Sequence, residues 1–554
     1  MTNKEIAKTF QYLGSIMELH GENPFKIKSY RNAYITLRKL QTPLSEMAEA
    51  EIAGIKGIGK AITGKIGELL TNGKMETLEK YKAITPEGIQ EMLHIKGFGP
   101  KKIKVIWNEL GVETVGELLY AVNENRLIEL NGFGKKTQDA LKEQLEYYQK
   151  SKHRFHYAAL EAEANALLSK LQDALPEAKL SLTGAIRRRC NIVDAIELLI
   201  ATNDGAVTLP ENLELQDIQQ EGNKILAKTA QELPVIIYTC QLAEFGSKLF
   251  RYTAAADFMD AFVKEQEGVD FKGLATEIEL FEKAGLPYIE PELREQDWTL
   301  DLAKNNQLPT LLEEQEIRGV IHSHTTYSDG LNTLEEMAEY SKAQGFDYIG
   351  ITDHSKAAFY ANGLQPERVI EQMAAIDELN EKLAPFKIFK GIESDILNDG
   401  SLDYEEDILK QFDFIIASVH TNLRMDEAKA TSRLITAIEN PYTTILGHPT
   451  GRLLLSRQGY PIDHLKVIDA CAANGVAIEL NANPYRLDLD WTWIPYALEK
   501  GILISVNPDA HSKEGIHDIH FGVLSARKGG LTAEQCLNTK TTDEFEKWIK
   551  SSSK

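Results

Sequence analysis

The stretch "GVIHSHTTYSDG" (residues 319–330) places His322 and His324 behind a short apolar run and closes a hydroxyl-rich turn on Asp329. An apolar run that ends in such donors predicts a strand delivering metal ligands at its C-terminal end. The pattern repeats in "YIGITDHS", "IFKGIESD", "FIIASVHT", "TTILGHPT", "VAIELNAN" and "ILISVNPDAHS", and six of the seven runs close on a histidine or a carboxylate. Most are followed by helical spacing, the signature of alternating strand and helix. Parallel strands alternating with helices form barrels whose C-terminal strand ends share one mouth. His322, His324, Asp329, His354, Glu393, His420, His448, Asp509 and His511 are therefore expected to form one metal centre. Imidazole and carboxylate without thiolate suit manganese or zinc, with iron also compatible.

At 554 residues the chain exceeds one core, and about 100–200 residues per domain gives roughly three to five domains. The net charge of -22 argues against a nucleic-acid binder only on average. Residues 1–150 carry 22 Lys and Arg against 19 Asp and Glu, while the remainder carries 39 against 64. Phosphate contact is thus expected at the N-terminal end. Cys190, Cys240, Cys471 and Cys536 are widely spaced, which predicts neither disulfides nor a thiolate zinc site and fits a reducing compartment. With no apolar leader or membrane-length run, the cytoplasm is expected.

Before residue 150, "GIKGIGKAITGKIGELL" (54–70), "HIKGFGPKKIKVIWNEL" (94–110) and "ELNGFGKKTQDALKEQL" (129–145) repeat one design: an apolar residue, Gly-x-Gly, then an amphipathic helix. The pairs Gly57/Gly59, Gly97/Gly99 and Gly132/Gly134 open backbone amides at a helix N-terminus, beside Lys60, Lys101, Lys102 and Lys135. They resemble helix-hairpin-helix motifs, which grip the DNA backbone without reading sequence. A potassium or sodium ion at these turns is an accompanying expectation.

"GENPFKIKSYRNAYITLRKL" (21–40) resembles the lyase domain of family X DNA polymerases, and the family's Schiff-base lysine falls on Lys65. The alternative for Lys65 is a solvated lysine near phosphate. "LSLTGAIRRRCNIVDAIELLIA" (180–201) resembles the family's palm, in which Gly184, Arg187 and Arg188 match nucleotide-binding positions. The family's serine falls on Ala185, its paired aspartates on Ala195 and Glu197, and its third aspartate, in "ELPVIIYTCQLAEFGSKLFRYT" (232–253), on Ile236. Isoleucine cannot ligate magnesium, so loss of nucleotide addition is expected.

The C-terminal part resembles the PHP family, the polymerase and histidinol phosphatase domain, with its (β/α)7 barrel. That resemblance implies a trinuclear site: His322, His324, Glu393 and Asp509 on one ion, Glu393, His420 and His448 on a second, and Asp329, His354 and His511 on a third. Glu393, His322 and Asp509 are its expected catalytic core, and Arg452 either clamps a phosphate or forms a structural ion pair. The whole order resembles bacterial family X polymerases: lyase-like residues 1–82, fingers-like 83–150, an α+β palm 151–255, thumb and linker 256–314, and PHP domain 315–554. It implies a monomeric 3′–5′ exonuclease acting on gapped, nicked or 3′-damaged DNA, with 3′-phosphatase or abasic-site cleavage as further activities. The alternatives are a small-molecule phosphatase of the histidinol-phosphatase type and a noncatalytic repair scaffold.

Overall fold

The computed structural model describes the chain apart from residues 41, 96–97, 129, 131, 151–153, 211–212 and 553–554, so Gly97 lies outside the described residues. Two compact units result, Met1–Tyr148 and Gln149–Lys554. No helix among the described residues is long and apolar enough to cross a membrane.

The regular elements among the described residues of the first unit are all helices. Its opening helix, Asn3–Leu19, starts on a capping box in which Thr2 and Glu5 satisfy each other's backbone amides, and buries Phe10, Leu13, Ile16 and Met17. The repeated glycine turns join short helices to longer ones that begin at Lys60, Pro100 and Lys135. Ile62, Ile66 and Leu69 fall on one side of the helix Lys60–Asn72 and are buried, as helical spacing requires.

The second unit begins with a small antiparallel pair, β1 (Phe155–His156) and β3 (Ile192–Val193). A five-stranded sheet follows in the order β2 (Lys179–Leu182), β4 (Ile196–Thr202), β7 (Pro234–Gln241), β6 (Lys224–Lys228), β5 (Gln216–Glu221). Parallel pairing of β4 with β7 sets Glu197 opposite Ile236. Next comes a helical segment whose core is aromatic: Phe250, Phe258, Phe262 and Phe281 pack around one another. Arg294, fully buried there, pairs with Glu277 at 2.5 Å.

The barrel consists of β8 (Gly319–Val320), β9 (Tyr348–Ile351), β10 (Lys387–Asp395), β11 (Phe414–Ser418), β12 (Ile445–Leu446), β13 (Ala477–Asn481) and β14 (Ile504–Asn507). Each strand pairs in parallel with its predecessor. A bridge between Ser323 and Ala510, with His324 N donating to Ala510 O at 2.8 Å, joins the first and last strands beyond their ends and nearly closes the ring. Alternation along β10 and β13 turns Ile388, Ile392 and Ile478 toward one core layer, and Phe389 and Ala477 toward another. Phe545, on the terminal helix Thr542–Ser552, belongs to the second layer and packs on Tyr348, Phe389 and Phe414. Glu393 shares its strand parity with Phe389, and Glu479 with Ala477, which directs both carboxylates toward the mouth.

One barrel helix, Ile519–Lys528, ties the barrel to the sheet and helices before it. Leu524 enters the core of the five-stranded sheet. Arg527 pairs with Glu292 at 3.0 Å and Glu313 at 2.7 Å. Lys528 pairs with Glu295 at 2.5 Å and donates to Arg188 O at 2.9 Å. His520 lies between Glu161 at 3.0 Å and Glu314 at 2.7 Å.

Candidate metal centre and nucleic-acid interface

Glu393 leaves β10 at the centre of the barrel mouth, fully buried. Its two oxygens face His354 Nδ1 at 2.9 Å, His448 Nε2 at 3.0 Å, His420 Nε2 at 3.1 Å, His322 Nε2 at 3.6 Å and His324 Nε2 at 3.7 Å. Asp509, held in the left-handed backbone region at φ 53, brings Oδ1 within 3.0 Å of His324 Nε2 and 3.4 Å of His322 Nε2. Asp329 completes the other side, 3.4 Å from His511 Nε2 and 3.7 Å from His354 Nε2.

Three sets of donor atoms converge: His322, His324, Glu393 and Asp509; His324, Asp329, His354 and His511; and His354, Glu393 and His420. All nine expected residues meet at one mouth, with two differences from the expected partition. His324 joins the set of Asp329, and His354 takes the place expected of His448, which contacts Glu393 from outside that set.

The donors fit cations better than they fit each other. Buried His324 Nδ1, Asp329 Oδ2, His354 Nε2 and Glu393 Oε2 make no hydrogen bond, a costly arrangement in a core unless another partner is intended. His322 Nε2 and His324 Nε2 face each other at 3.3 Å. Burial, with His511 and His354 alongside, pulls His324 down to about 3, so it is neutral and competent to ligate. His420 is pushed up to about 10 because Glu393 and Asp395 outweigh its burial. Glu393 stays ionised despite burial, through His420, His322 and His354.

Behind the donors lies a shell that the expectation omitted. Glu479 Oε2 accepts from His322 Nδ1 at 2.7 Å and from Asn507 Nδ2 at 2.8 Å, and Oε1 accepts from the His448 amide at 3.2 Å. Fixing His322 through Nδ1 aims Nε2 into the centre, the usual way a carboxylate orients a ligating imidazole. Asp395 does the same for His420 at 3.2 Å, and Asn481 holds Asp509 Oδ2 at 2.9 Å. Asp353 accepts from the Thr325 amide at 2.7 Å and from both the amide and the hydroxyl of Ser328, thereby shaping the turn that carries Asp329. The strand-end segments contained Glu479, Asp395 and Asp353, and inward parity was the available signal for Glu479 and Asp395.

Arg452 is not aimed at the centre. Its Nε donates to Arg486 O at 3.0 Å, Nη2 donates to Leu487 O, and Nη1 pairs with Asp490. Of the two readings open for it, the structure shows the ion pair. Lys65 is half-buried and donates to Thr77 Oγ1.

At the glycine turns, Gly57 (φ 91) and Gly132 (φ 88) occupy the left-handed region that requires glycine. Gly59 and Gly99 have ordinary φ values of -90 and -81, and a Cβ added at either, or at Gly134, would meet nothing within 4 Å. Gly59 and Gly99 are the N-caps of the helices that follow, a position that favours glycine over alanine. Lys60, Lys101 and Lys135 are exposed beside these turns, whereas Lys102 lies over the Phe133 ring at 5.7 Å.

Residues 1–75 match a helix-hairpin-helix domain, 89–146 a SAM-like helix-hairpin-helix tandem, and 321–483 a PHP domain. Over its whole length the chain is similar to the DNA polymerase/3′-5′ exonuclease PolX of Bacillus subtilis (strain 168), at 34% identity over 571 residues, covering 99% of this chain and 100% of the relative. The chain belongs to the PolX family. Its barrel is also similar to a probable phosphatase of Thermoanaerobacter sp. (strain X514), 31% identical over 229 residues, 39% of this chain and 89% of that protein. A probable phosphatase of Caldanaerobacter subterraneus matches at 28% over 243 residues, 41% of this chain and 89% of that protein.

Within this PolX chain the sheet preceding the barrel partly buries Glu197. Glu197 packs against Gly184, where an added Cβ would lie 2.0 Å from Glu197 Oε1, and takes a 3.4 Å hydrogen bond from the Tyr238 hydroxyl. Burial pushes the Glu197 carboxyl upward, while Ala195 and Ile236 offer no ligand atom. Arg187 and Arg188, expected as remnants of a nucleotide site, meet carboxylates instead. Arg187 holds Glu277 through two bonds of 3.0 and 2.7 Å, and Arg188 holds Glu295 at 3.0 Å. Their charge is compensated within the fold.

Proposed function

We propose that the barrel hydrolyses phosphoesters at DNA 3′ ends, as a 3′–5′ exonuclease with 3′-phosphatase and abasic-site cleavage open to the same centre. The carrying observation is the buried carboxylate of Glu393 faced by five imidazoles. Manganese or zinc would be held by the three convergent sets. When bound, such ions would bring the pKa of water down to near neutrality and offset the charge that grows on phosphate oxygens. The chain's own residues hold the geometry: Glu479 orients His322, Asp395 orients His420, and Asn481 orients Asp509.

The helical hairpins hold the DNA backbone through the amides beyond Gly59, Gly99 and Gly134. The five-stranded sheet adds no nucleotides, because Ala195 and Ile236 supply no carboxylate and Arg187 and Arg188 are already paired. The likeness to probable phosphatases supports a second reading, hydrolysis of small phosphate monoesters. Salt separates the two, since DNA affinity falls with log[salt] at about 0.9 per phosphate contacted and a small ester shows no such slope.

The test compares wild type with Glu393→Ala and His322→Ala on 3′-recessed, 3′-phosphate and abasic-site DNA in manganese. Loss of end trimming in both variants is expected. Equal trimming by all three proteins would remove the barrel mouth from the reaction.

A further inference from the structure

Phe359 lies five residues beyond His354 on the loop leaving β9, and it is 83% exposed. Single exposed apolar side chains are ordinary, but this one is held outward by a pinned backbone. Ser355 and Leu364 close the loop as a bridge, and Gly363 fits only as glycine, since a Cβ there would lie 2.0 Å from Ser355 O. The Ala357 amide donates to Asp403 Oδ2 at 2.6 Å. Asn362, at φ 54, donates to Tyr327 O at 3.2 Å and accepts from Arg368 at 3.0 Å through its own carbonyl. These contacts fix the backbone that carries Phe359.

A continuous run of rings leads from the metal donors to Phe359. The imidazole of His354 lies 6.5 Å from the Tyr360 ring, and Tyr360 lies 6.0 Å from the Phe359 ring. A phosphodiester bound among the donors carries a nucleoside beside it, and Phe359 offers a flat apolar face next to the Tyr360 ring that borders His354. Aromatic rings accept any base, because every base has a π-face.

We propose that Phe359 is a stacking platform for the base of the 3′-terminal nucleotide. This rests on the reading of the barrel as a 3′-end phosphoesterase. Phe359 is a positioning residue that acts on binding of the terminal nucleotide.

The test uses the full-length manganese-loaded protein. A single-stranded oligonucleotide ending in 2-aminopurine, joined through a phosphorothioate to resist cleavage, loses fluorescence on binding wild type and Phe359→Trp but keeps it with Phe359→Ala. On the ordinary oligonucleotide, Phe359→Ala raises KM about tenfold, the scale of one base–aromatic stack, and changes kcat by less than about twofold. On an oligonucleotide whose 3′-terminal nucleotide lacks its base, Phe359→Ala matches wild type. Unchanged quenching and KM in Phe359→Ala, or an effect that disappears only when the penultimate base is removed, would overturn the assignment. If wild type leaves the 3′ end intact, the underlying reading falls as well. If wild type trims it and Phe359→Ala trims it equally well, this inference alone falls.

Discussion

Glu393 and Glu479 are both fully buried carboxylates at the barrel mouth, yet their roles differ: Glu393 faces donor nitrogens, whereas Glu479 fixes one of them from behind. Glu479→Gln should keep the fold and lower metal affinity and activity by about 10–100-fold, the range for lost outer partners of a ligating histidine. Thermal melts and metal titration measure the two effects separately, and wild-type affinity in the variant would assign Glu479 to packing alone. In the hairpins, the contrast is between Gly57 and Gly59. Gly59 has an ordinary φ and open space around it but caps the helix Lys60–Asn72, so Gly59→Ala should lower the melting temperature only slightly, by the N-cap preference, while weakening binding to duplex DNA. A fall in stability with unaltered DNA affinity would make that glycine structural. The donors themselves were legible because they gather at the ends of apolar runs, with Asp329 on the turn that follows the first. Their orienting partners were harder to see: Glu479 reaches His322 across 157 positions of sequence and Asp490 reaches Arg452 across 38, and spacing along the chain carries no record of such contacts.

The helix Ile519–Lys528 joins the barrel to the sheet through charges with opposite pH behaviour. His520 is raised from 6.5 to about 9, chiefly by its hydrogen bond to Glu161 and also by Glu314. A raised histidine contributes stability that is fully present below its unfolded pKa and is lost as pH rises through the folded one. Glu295 moves the other way: despite burial, Lys528 and Arg188 hold it down at about 2, against 4.5 when unperturbed. Its contribution is present above pH 4.5 and is lost as pH falls toward about 2. His520→Gln should therefore lower the melting temperature at pH 6 and make little difference at pH 10. An equal deficit at both values would rule out the ionised contact. The periodicity of apolar runs predicted the seven barrel strands, but it did not reveal which barrel helix would meet the sheet, because Lys528 and Glu295 are 233 residues apart.

At the scale of the whole molecule, the absence of a carboxylate at Ala195 and Ile236 and the ion pairs of Arg187 and Arg188 both support the proposal that the sheet adds no nucleotides. Glu277 is buried between Arg187 and Arg294, and removing one member of such a group strands buried charge at a cost of about 3–5 kcal/mol. Glu277→Ala is expected to destabilise the second unit by that order in urea unfolding. Restoring carboxylates with Ala195→Asp and Ile236→Asp is not expected to bring back template-dependent primer extension, because Arg187 and Arg188 remain engaged. The substitutions at Ala195 and Ile236 were visible in the sequence. The pairing of Arg187 and Arg188 was not, since their partners lie 90 and 107 residues away. The central claim is that the barrel mouth gathers cations on Glu393 and the donors around it. Elemental analysis of wild type and Glu393→Ala after equilibration with manganese and removal of free metal tests it most directly. Three ions per chain, one for each convergent donor set, are expected in wild type, with loss of those sharing Glu393 in the variant. Wild type recovered without metal, or a variant that retains the full complement, would contradict the account.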